Sequence, residues 1–255
     1  MDNNTFCCPE KIHIKDPCSS IRAEARENLA GLWKPAMAIT LVYLLLIEVA
    51  GQIPVIGTIW LIVVGGALTL GISKIFIAYH DKKATESIFS GFKQFGKTMG
   101  LFWFTTLFIA LWSLLFIIPG IIASIRYSQA FYILAEHPEY KIRQCVNLSK
   151  DKMDGNIMKY FCLMLSFIGW VLLAFIGMVG IAFVIGQIIG IAEYIPLESG
   201  IEQESTAYYL ATLSENNMLT ILIYAAETVV LTPVACYVTM AETVFYKKLF
   251  NKKDL

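Results

Sequence analysis

Long apolar runs constrain this chain more than any other feature of its sequence. A helix needs about 20 mostly apolar residues to cross the roughly 30 Å of hydrocarbon in a bilayer. Several stretches of the sequence meet or approach that length. They are residues 33–53, 58–79, 99–118, 121–135, 157–178 and 218–245. The sequence therefore predicts an all-α integral membrane protein with six transmembrane helices.

The composition agrees with this fold class and excludes several others. Hydrophobic residues make up 57% of the 255-residue chain and charged residues only 16%, whereas soluble domains carry about 25% charge. A disordered chain or a secreted disulfide scaffold would not have this balance. Because 20 Lys and Arg offset 20 Asp and Glu, we also expect no nucleic-acid partner.

The positions of the cations predict the topology. Cytoplasmic loops are enriched in Lys and Arg, and the loop cations fall before the first run, after the second, after the fourth and after the sixth. Residues 193–217 carry five Glu and no Lys or Arg. Six spans, with both termini cytoplasmic, put this acidic stretch outside and all loop cations inside. A seventh span over residues 179–192 would reverse that placement, so we reject it.

The parts outside the six spans are assigned from the same pattern. Residues 1–15 are predicted to form a mobile cytoplasmic tail, and residues 247–255 a basic cytoplasmic tail. The membrane domain is expected to occupy residues 16–246. Whether residues 179–195 are helical, re-entrant or interfacial stays open at this stage.

A short amphipathic segment precedes each pair of spans. Helical spacing puts apolar residues on one face and basic residues beside them. This pattern is typical of helices that lie in the headgroup region of an anionic inner leaflet, so membrane lipid is the expected partner. In the second segment Lys93 and Lys97 flank the apolar face. The apolar residues are Ile21, Ala25 and Leu29; then Ile88, Phe92, Phe95 and Met99; and last Ile142, Val146 and Met153.

Glycine-bearing signatures recur near the ends of these segments, at residues 29–33, 89–92 and 153–156. One interpretation is a threefold unit that consists of an interfacial helix, a span out and a span back. Internal repeats of this kind are common in membrane transport folds. The other interpretation is chance, because apolar sequences match one another loosely. Under the first, the six spans form three hairpins.

Several sequence blocks carry a resemblance to a known family. They are FSGFKQFGK at 89–97, IPGII at 118–122, YSQA at 127–130, SK at 149–150, MDGN at 153–156, LSFIGW at 165–170 and FYKKL at 245–249 with Ala241. Over about residues 20–250 the chain resembles a bacterial membrane family, domain of unknown function nine hundred and seventy-five. That family is similar to the membrane domain fused to some glycerophosphodiester phosphodiesterases. The resemblance implies a polytopic membrane protein and no particular chemistry. The acidic stretch at 193–217 departs from it.

No motif in the sequence assigns a reaction. There is no HExxH, phosphate-binding loop, Gly-x-Ser-x-Gly or kinase signature. The histidines His13, His80 and His137 are far apart in sequence. We therefore expect no enzymatic activity, no cofactor and no metal site.

Charged residues inside the predicted spans are the main candidates for a site. A charge near mid-bilayer costs about 2.5–3.5 kcal/mol, so it usually has a partner or a purpose. At 1.5 Å per residue, Arg126, Glu227 and Glu48 have overlapping depths below the outer face. We predict that Arg126 pairs with one of the two carboxylates, with Tyr43, Tyr127 or Gln129 completing the hydrogen bonds. The cluster would be a site for a headgroup, an ion or a proton relay, or a buried clamp.

Two further charges lie near the inner interface. Lys74 is five residues before the end of the second run, from where its amine can extend to the interface. Glu242 is expected to pair with Lys74 or with Lys247. Both are predicted to be interfacial residues.

These features support two functions. The first is a non-catalytic module that binds or moves a lipid, amphiphile or small solute through the polar cluster. The second is a scaffold or accessory subunit that docks protein partners through its interfacial helices and acidic outer loop. The sequence identifies neither the protein partners nor the oligomeric state.

Overall fold

The computed structural model describes residues 13–51, 56–85, 87–193 and 217–250, and every regular element in these ranges is a helix. The predicted all-α class is therefore confirmed for the part of the chain that is described. The elements are α1 (Cys18–Leu29), α2 (Trp33–Gly51), α3 (Ile56–His80), a 3₁₀ helix (Ile88–Gln94), α4 (Phe95–Leu115), α5 (Ile117–Tyr127), α6 (Ala130–Glu136), α7 (Ile142–Met153), α8 (Ile157–Glu193) and α9 (Asn217–Leu249).

Five segments are long and apolar enough to cross a membrane, or six when α1 and α2 are counted as one bent pair. They are Ile59–His80, Ile88–Leu115, Ile117–Glu136, Ile157–Gly177 and Glu227–Leu249, with the pair Cys18–Leu29 and Trp33–Glu48 as the sixth. This pattern is consistent with a multi-pass membrane protein. These segments overlap the predicted spans, because the same criteria, length and hydropathy, define the segments and the predictions.

Helices α3 and α9 form the centre of the bundle. Helix α9 packs against α1, α2, α3 and α8, and near its end Phe245 and Tyr246 are fully buried. It also continues through Leu249, beyond the predicted end at Phe245. Lys247 and Lys248 therefore belong to a packed helix rather than to a basic tail, and residues 251–255 lie outside the described part.

The two ends of the described chain lie side by side. The Lys248 ammonium is 2.6 Å from a carboxylate oxygen of Asp16 and 3.0 Å from one of Glu24. About three turns earlier in α9, the Tyr237 hydroxyl donates a 3.0 Å hydrogen bond to the backbone carbonyl of Arg22. These contacts join α1 and the segment before it to the end of α9.

Two of the three predicted glycine signatures form the same turn. Gly31 has φ +80° and Gly155 has φ +85°, and each follows an extended residue at the end of a helix, Ala30 or Asp154. This is a type II turn, which requires a positive φ at its third residue and so favours glycine there. The turn between α1 and α2 belongs to a bend of 101°. The third signature does not form this turn.

The third signature lies in the 3₁₀ helix, where Gly91 presses against α3. A Cβ atom on Gly91 would lie 2.0 Å from the carbonyl oxygen of Ala67, so the two backbones are in direct contact. The predicted amphipathic face is wrong here. Ile88 is buried, but Phe92 is 37% exposed, because a 3₁₀ helix has three residues per turn and a different face.

The other two amphipathic segments form helices with the predicted apolar residues inside. Ile21, Ala25 and Leu29 of α1 are fully buried, and α7 buries Val146 and Met153. In α7, however, Lys152 is buried as well, with its ammonium 5.6 Å from the centroid of the Phe250 ring. Whether these helices lie in a membrane interface stays a prediction.

The reversal between the third and fourth predicted spans occurs earlier than expected. Helix α4 ends at Leu115, and the single extended residue Phe116 connects it to α5. Pro119 and Gly120 lie in the first turns of α5, where proline is tolerated. Gly120 permits close approach of α4, because its Cβ would lie 2.2 Å from the Ser113 hydroxyl.

Residues 179–193, whose conformation the sequence left open, are helical, because they belong to α8. The backbone of α8 is one continuous helix of 37 residues, which at 1.5 Å per residue is about 55 Å long. That length exceeds the roughly 30 Å of hydrocarbon. Residues 194–216, most of the predicted outer acidic loop, lie outside the described part.

Candidate functional site

The carboxylate of Glu242, in α9, lies among side chains of two other helices of the bundle. The Tyr160 hydroxyl of α8 donates a 2.6 Å hydrogen bond to one of its oxygens, and the Tyr132 hydroxyl of α6 donates a 3.3 Å bond to the other. In the described part of the chain no Lys or Arg forms an ion pair with Glu242. It therefore pairs with two tyrosines rather than with Lys74 or Lys247 as predicted.

Aromatic packing fixes both tyrosines. The Tyr132 ring stacks on that of Tyr246 at 5.5 Å, and the Tyr160 ring meets Phe245 edge-on at 5.2 Å. Tyr132 and Tyr160 are each only 5% exposed. Because Phe245 and Tyr246, one turn after Glu242 in α9, pack against the two rings, the hydroxyl groups are held beside the carboxylate.

A break between α5 and α6 lies beside this cluster. The apolar segment Ile117–Glu136 is interrupted at Ser128 and Gln129. The Gln129 side chain is fully buried, and its amide nitrogen donates a 2.9 Å hydrogen bond to the Ser128 hydroxyl. Its amide oxygen has no hydrogen-bond partner among the described residues. In membrane proteins, irregular backbone at this depth occurs where protein or a cavity satisfies it.

A groove runs along the outside of the cluster, between α5 and α8. Its volume is about 380 Å³, and its wall is mainly apolar with three hydroxyl-bearing residues. Ile121 and Phe161 at its rim are 43% and 36% exposed. Tyr160 belongs both to this wall and to the cluster, so it connects the groove to Glu242. The lining residues are Ile121, Ser124, Ile125, Ser128, Tyr160, Phe161 and Met164.

The structure does not bring Arg126 together with Glu48 or Glu227. Helix α5 packs against α4, α7 and α8, and among the described residues no ion pair links Arg126 to either carboxylate. Instead the Arg126 backbone carbonyl accepts a 2.7 Å hydrogen bond from the Ser149 hydroxyl of α7. The guanidinium Nε is buried without a hydrogen-bond partner in the described part.

The other predicted members of that cluster lie apart. Glu48 accepts a 3.3 Å hydrogen bond from the Thr228 hydroxyl, which joins α2 to α9. Glu227 borders a cavity of about 100 Å³ between α8 and α9 that is otherwise lined by apolar residues. Tyr127 packs in the hydrophobic core. Gln129 adjoins the Glu242 cluster. The Tyr43 hydroxyl forms a 3.4 Å hydrogen bond with the Thr69 hydroxyl rather than with Arg126.

A second polar cluster lies where the ends of α3, α6 and α9 meet. The Lys247 ammonium is 3.0 Å from Asp81 and also binds Glu136, and the Tyr246 hydroxyl donates a 2.8 Å hydrogen bond to Glu136. Burial would raise the pKa of the Asp81 carboxyl. Hydrogen bonds from His80 and two lysines outweigh burial and lower this pKa to about 2.

The predicted interfacial lysines lie near this end of the bundle. Lys74 lines a cleft of about 860 Å³ together with residues of the second cluster. The Lys97 ammonium donates a 2.6 Å hydrogen bond to the backbone carbonyl of Pro138. Lys93 is exposed on the 3₁₀ helix. Within the described ranges no group of three or more His, Cys, Asp or Glu is arranged to hold a metal ion.

Sequence reasoning missed both clusters. The partners of Glu242 are 110 and 82 residues away, and the partners of Lys247 are more distant still. The one available signal was a carboxylate inside an apolar run, and this signal applied equally to Glu48 and Glu227. The sequence does not show which helices pack together, so it could not tell which of the three carboxylates has polar partners on other helices.

Comparisons with known proteins identify one family. Residues 114–253, more than half of the chain, match the model of a family described as "Protein of unknown function (DUF975)". This range contains the groove and both tyrosines of the Glu242 cluster, whereas residues 20–113 of the predicted resemblance lie outside it. No curated protein and no solved structure matches the chain. The relation to glycerophosphodiester phosphodiesterases stays a prediction.

Proposed function

We start from the fact that the chain belongs to the DUF975 family of proteins of unknown function, and we propose that it is a non-catalytic, multi-pass membrane module that binds an amphiphile. The binding site is the groove between α5 and α8, with the Glu242 cluster behind it. One observation carries this proposal: Tyr160 lines the groove and donates a hydrogen bond to Glu242.

The size and character of the groove suit an amphiphile. Small-molecule sites have volumes of about 300–1,000 Å³ and are mainly apolar with a few placed polar groups. The groove volume of about 380 Å³ falls in this range, with apolar residues at the rim and hydroxyl groups beside Tyr160. A lipid tail would contact the rim, and the polar head would approach the hydroxyl groups.

The chemistry of the cluster favours binding over bond cleavage. Its residues are one carboxylate, two tyrosines, a serine and an amide. The cluster contains no serine–histidine or cysteine–histidine pair of the kind that covalent catalysis commonly uses. An ionisable residue within an apolar span is a functional candidate, and Glu242 lies in the span Glu227–Leu249.

We also propose the orientation that the cation pattern favours. The ends of the described chain lie side by side, as an even number of crossings requires, and Lys247 and Lys248 lie at this end. Under the positive-inside rule this side is cytoplasmic. Lys93 and Lys97 would then lie near the anionic lipids of the inner leaflet of the cell membrane.

The test compares two carboxylates of the same helix. Glu242→Gln removes the charge of the cluster, and Glu227→Gln is the matched control because Glu227 lies away from the groove. The full chain is purified in mild detergent, and the lipids that remain bound are counted by native mass spectrometry. We expect bound lipid to fall in the first variant and to stay at the wild-type level in the second.

Two further variants keep the test decisive if Glu242→Gln folds poorly. Tyr160→Phe removes the connecting hydroxyl but keeps the ring, and Ser124→Trp fills the groove at its rim. Both should lower lipid retention. Equal retention in all four variants and the wild type would contradict the proposal and favour the scaffold function, in which the groove has no role.

A further inference from the structure

The hydrogen-bonding groups of the groove restrict the ligand more narrowly than its shape does. A hydroxyl group has one proton to donate and lone pairs to accept. The Ser124 and Ser128 hydroxyls each donate a 2.8 Å hydrogen bond to the carbonyl three residues earlier, that of Ile121 or Ile125. The Tyr160 hydroxyl donates to Glu242. Every hydroxyl proton of the groove wall is therefore already in use.

The groups behind the wall are also acceptors. The Gln129 amide nitrogen donates to Ser128, whereas its fully buried oxygen receives no hydrogen bond from the described residues. Glu242 receives two hydroxyl protons but no cation from that part of the chain. Gln129 and Glu242 do not line the groove, so the polar side-chain atoms that a ligand meets there are the hydroxyl oxygens of Ser124, Ser128 and Tyr160. Their lone pairs favour a ligand that donates protons.

From this donor balance we infer that the site takes an amphiphile whose headgroup carries a primary ammonium. Such a group offers three N–H donors to the lone pairs of Ser124, Ser128 and Tyr160, and its charge complements that of Glu242. A phosphate or carboxylate oxygen at the position of that ammonium would face lone pairs and a like charge. A quaternary ammonium has the charge but no N–H group. This inference rests on the proposed amphiphile site.

The experiment compares headgroups on identical acyl chains. The full chain in detergent is titrated with phosphatidylethanolamine, phosphatidylcholine and phosphatidic acid, and binding is followed by native mass spectrometry. The first two differ only in N-methylation, which removes the N–H donors and keeps the charge. A hydrogen bond that involves a charged group contributes about 1.5–3 kcal/mol, so we expect phosphatidylethanolamine to bind at least about tenfold more tightly. Free ethanolamine, which has no acyl chains, should not compete at equal concentration.

Variants test whether the preference for phosphatidylethanolamine depends on the groove and the Glu242 cluster. In Glu242→Gln and Tyr160→Phe the preference for phosphatidylethanolamine over phosphatidylcholine should fall toward onefold. In Glu227→Gln it should stay at the wild-type value, because that carboxylate does not adjoin the groove.

Two results would overturn the inference, and they have different meanings. If phosphatidylcholine or phosphatidic acid binds as tightly as phosphatidylethanolamine, and Ser124→Trp weakens all three, the site binds amphiphiles but does not select a donor. If Ser124→Trp changes the binding of none of them, the groove is not a binding site and the proposed function fails as well. Competition by free ethanolamine at equal concentration would make the ligand a soluble amine.

Discussion

Replacement of Gly71 by alanine tests the close backbone contact between α3 and the 3₁₀ helix. An added Cβ atom would lie 1.8 Å from the carbonyl oxygen of Ile88 and 2.8 Å from its carbonyl carbon. Both atoms belong to the backbone of the 3₁₀ helix, so no side-chain rotation can relieve the clash. Gly91 makes the reciprocal contact with Ala67, which holds the 3₁₀ helix against α3 at two points.

The size of the effect follows from this geometry. Real Cβ contacts do not fall below 3.0 Å, so α3 and the 3₁₀ helix must separate by roughly 1 Å. Overpacking typically costs 1–3 kcal/mol when side chains can adjust. Because only backbone can move here, we expect Gly71→Ala to lower the free energy of unfolding by about 3 kcal/mol or more.

Gly169→Ala is the matched control. Gly169 lies in α8 with nothing within 4 Å of an added Cβ, and alanine is favoured over glycine in a helix by about 0.5–1 kcal/mol. Thermal unfolding of the purified variants in one detergent measures the difference. We expect Tm to fall by about 6–12 °C for Gly71→Ala and to stay level or rise for the control. Equal Tm values would refute the close approach of the two helices.

Two further predictions concern polar contacts. Hydrogen bonding lowers the pKa of Asp81 from 3.8 to about 2, so its stabilising effect is complete above pH 4 and is lost as the pH falls to 2. Asp81→Asn should therefore lower the free energy of unfolding by about 2 kcal/mol at pH 7 and by almost nothing near pH 2. Denaturation curves that differ by the same amount at both pH values would contradict the lowered pKa of Asp81. Ser149→Ala should lower the free energy of unfolding by about 1–3 kcal/mol, because the partly buried carbonyl of Arg126 loses its donor. The control is Ser166→Ala, whose hydroxyl bonds within α8 and whose loss should lower the free energy of unfolding by less than about 0.5 kcal/mol. Equal denaturation midpoints would contradict this role of Ser149.

The sequence predicts the helices well where the signal is local. The spans follow from runs of apolar residues, and the buried face of α1 follows from the helical spacing of Ile21, Ala25 and Leu29. The glycines at positions 31 and 155 mark turns because the chain needs a positive φ there. Each of these features depends on residues within a few turns of one another.

The second amphipathic segment shows the limit of local reasoning. Its spacing fits an α-helix, yet residues 88–94 form a 3₁₀ helix. The contacts that accompany this change come from Ala67 and Gly71, in a different helix. Glycine in α3 is visible in the sequence, but the segment that packs against it is not.

The ion pair predicted for Arg126 does not form among the described residues, for a similar reason. Depth estimates put Arg126, Glu48 and Glu227 at overlapping levels, but depth determines neither the rotation of a helix nor its neighbours. Helix α5 packs against α7, so Arg126 meets Ser149. The partners of Glu242 were also missed, because α6 and α8 bring Tyr132 and Tyr160 to it from distant parts of the chain.

Photo-crosslinking tests the central claim, that the groove between α5 and α8 holds an amphiphile, most directly. The full chain is reconstituted with phosphatidylethanolamine that carries a diazirine in one acyl chain, irradiated and digested, and the labelled peptides are identified by mass spectrometry. The account predicts labels concentrated in residues 121–128 and 160–164. Leu107 and Leu111 of α4, which are 63% and 60% exposed, should be labelled far less. Labels spread evenly over α4, α5 and α8 would contradict the claim.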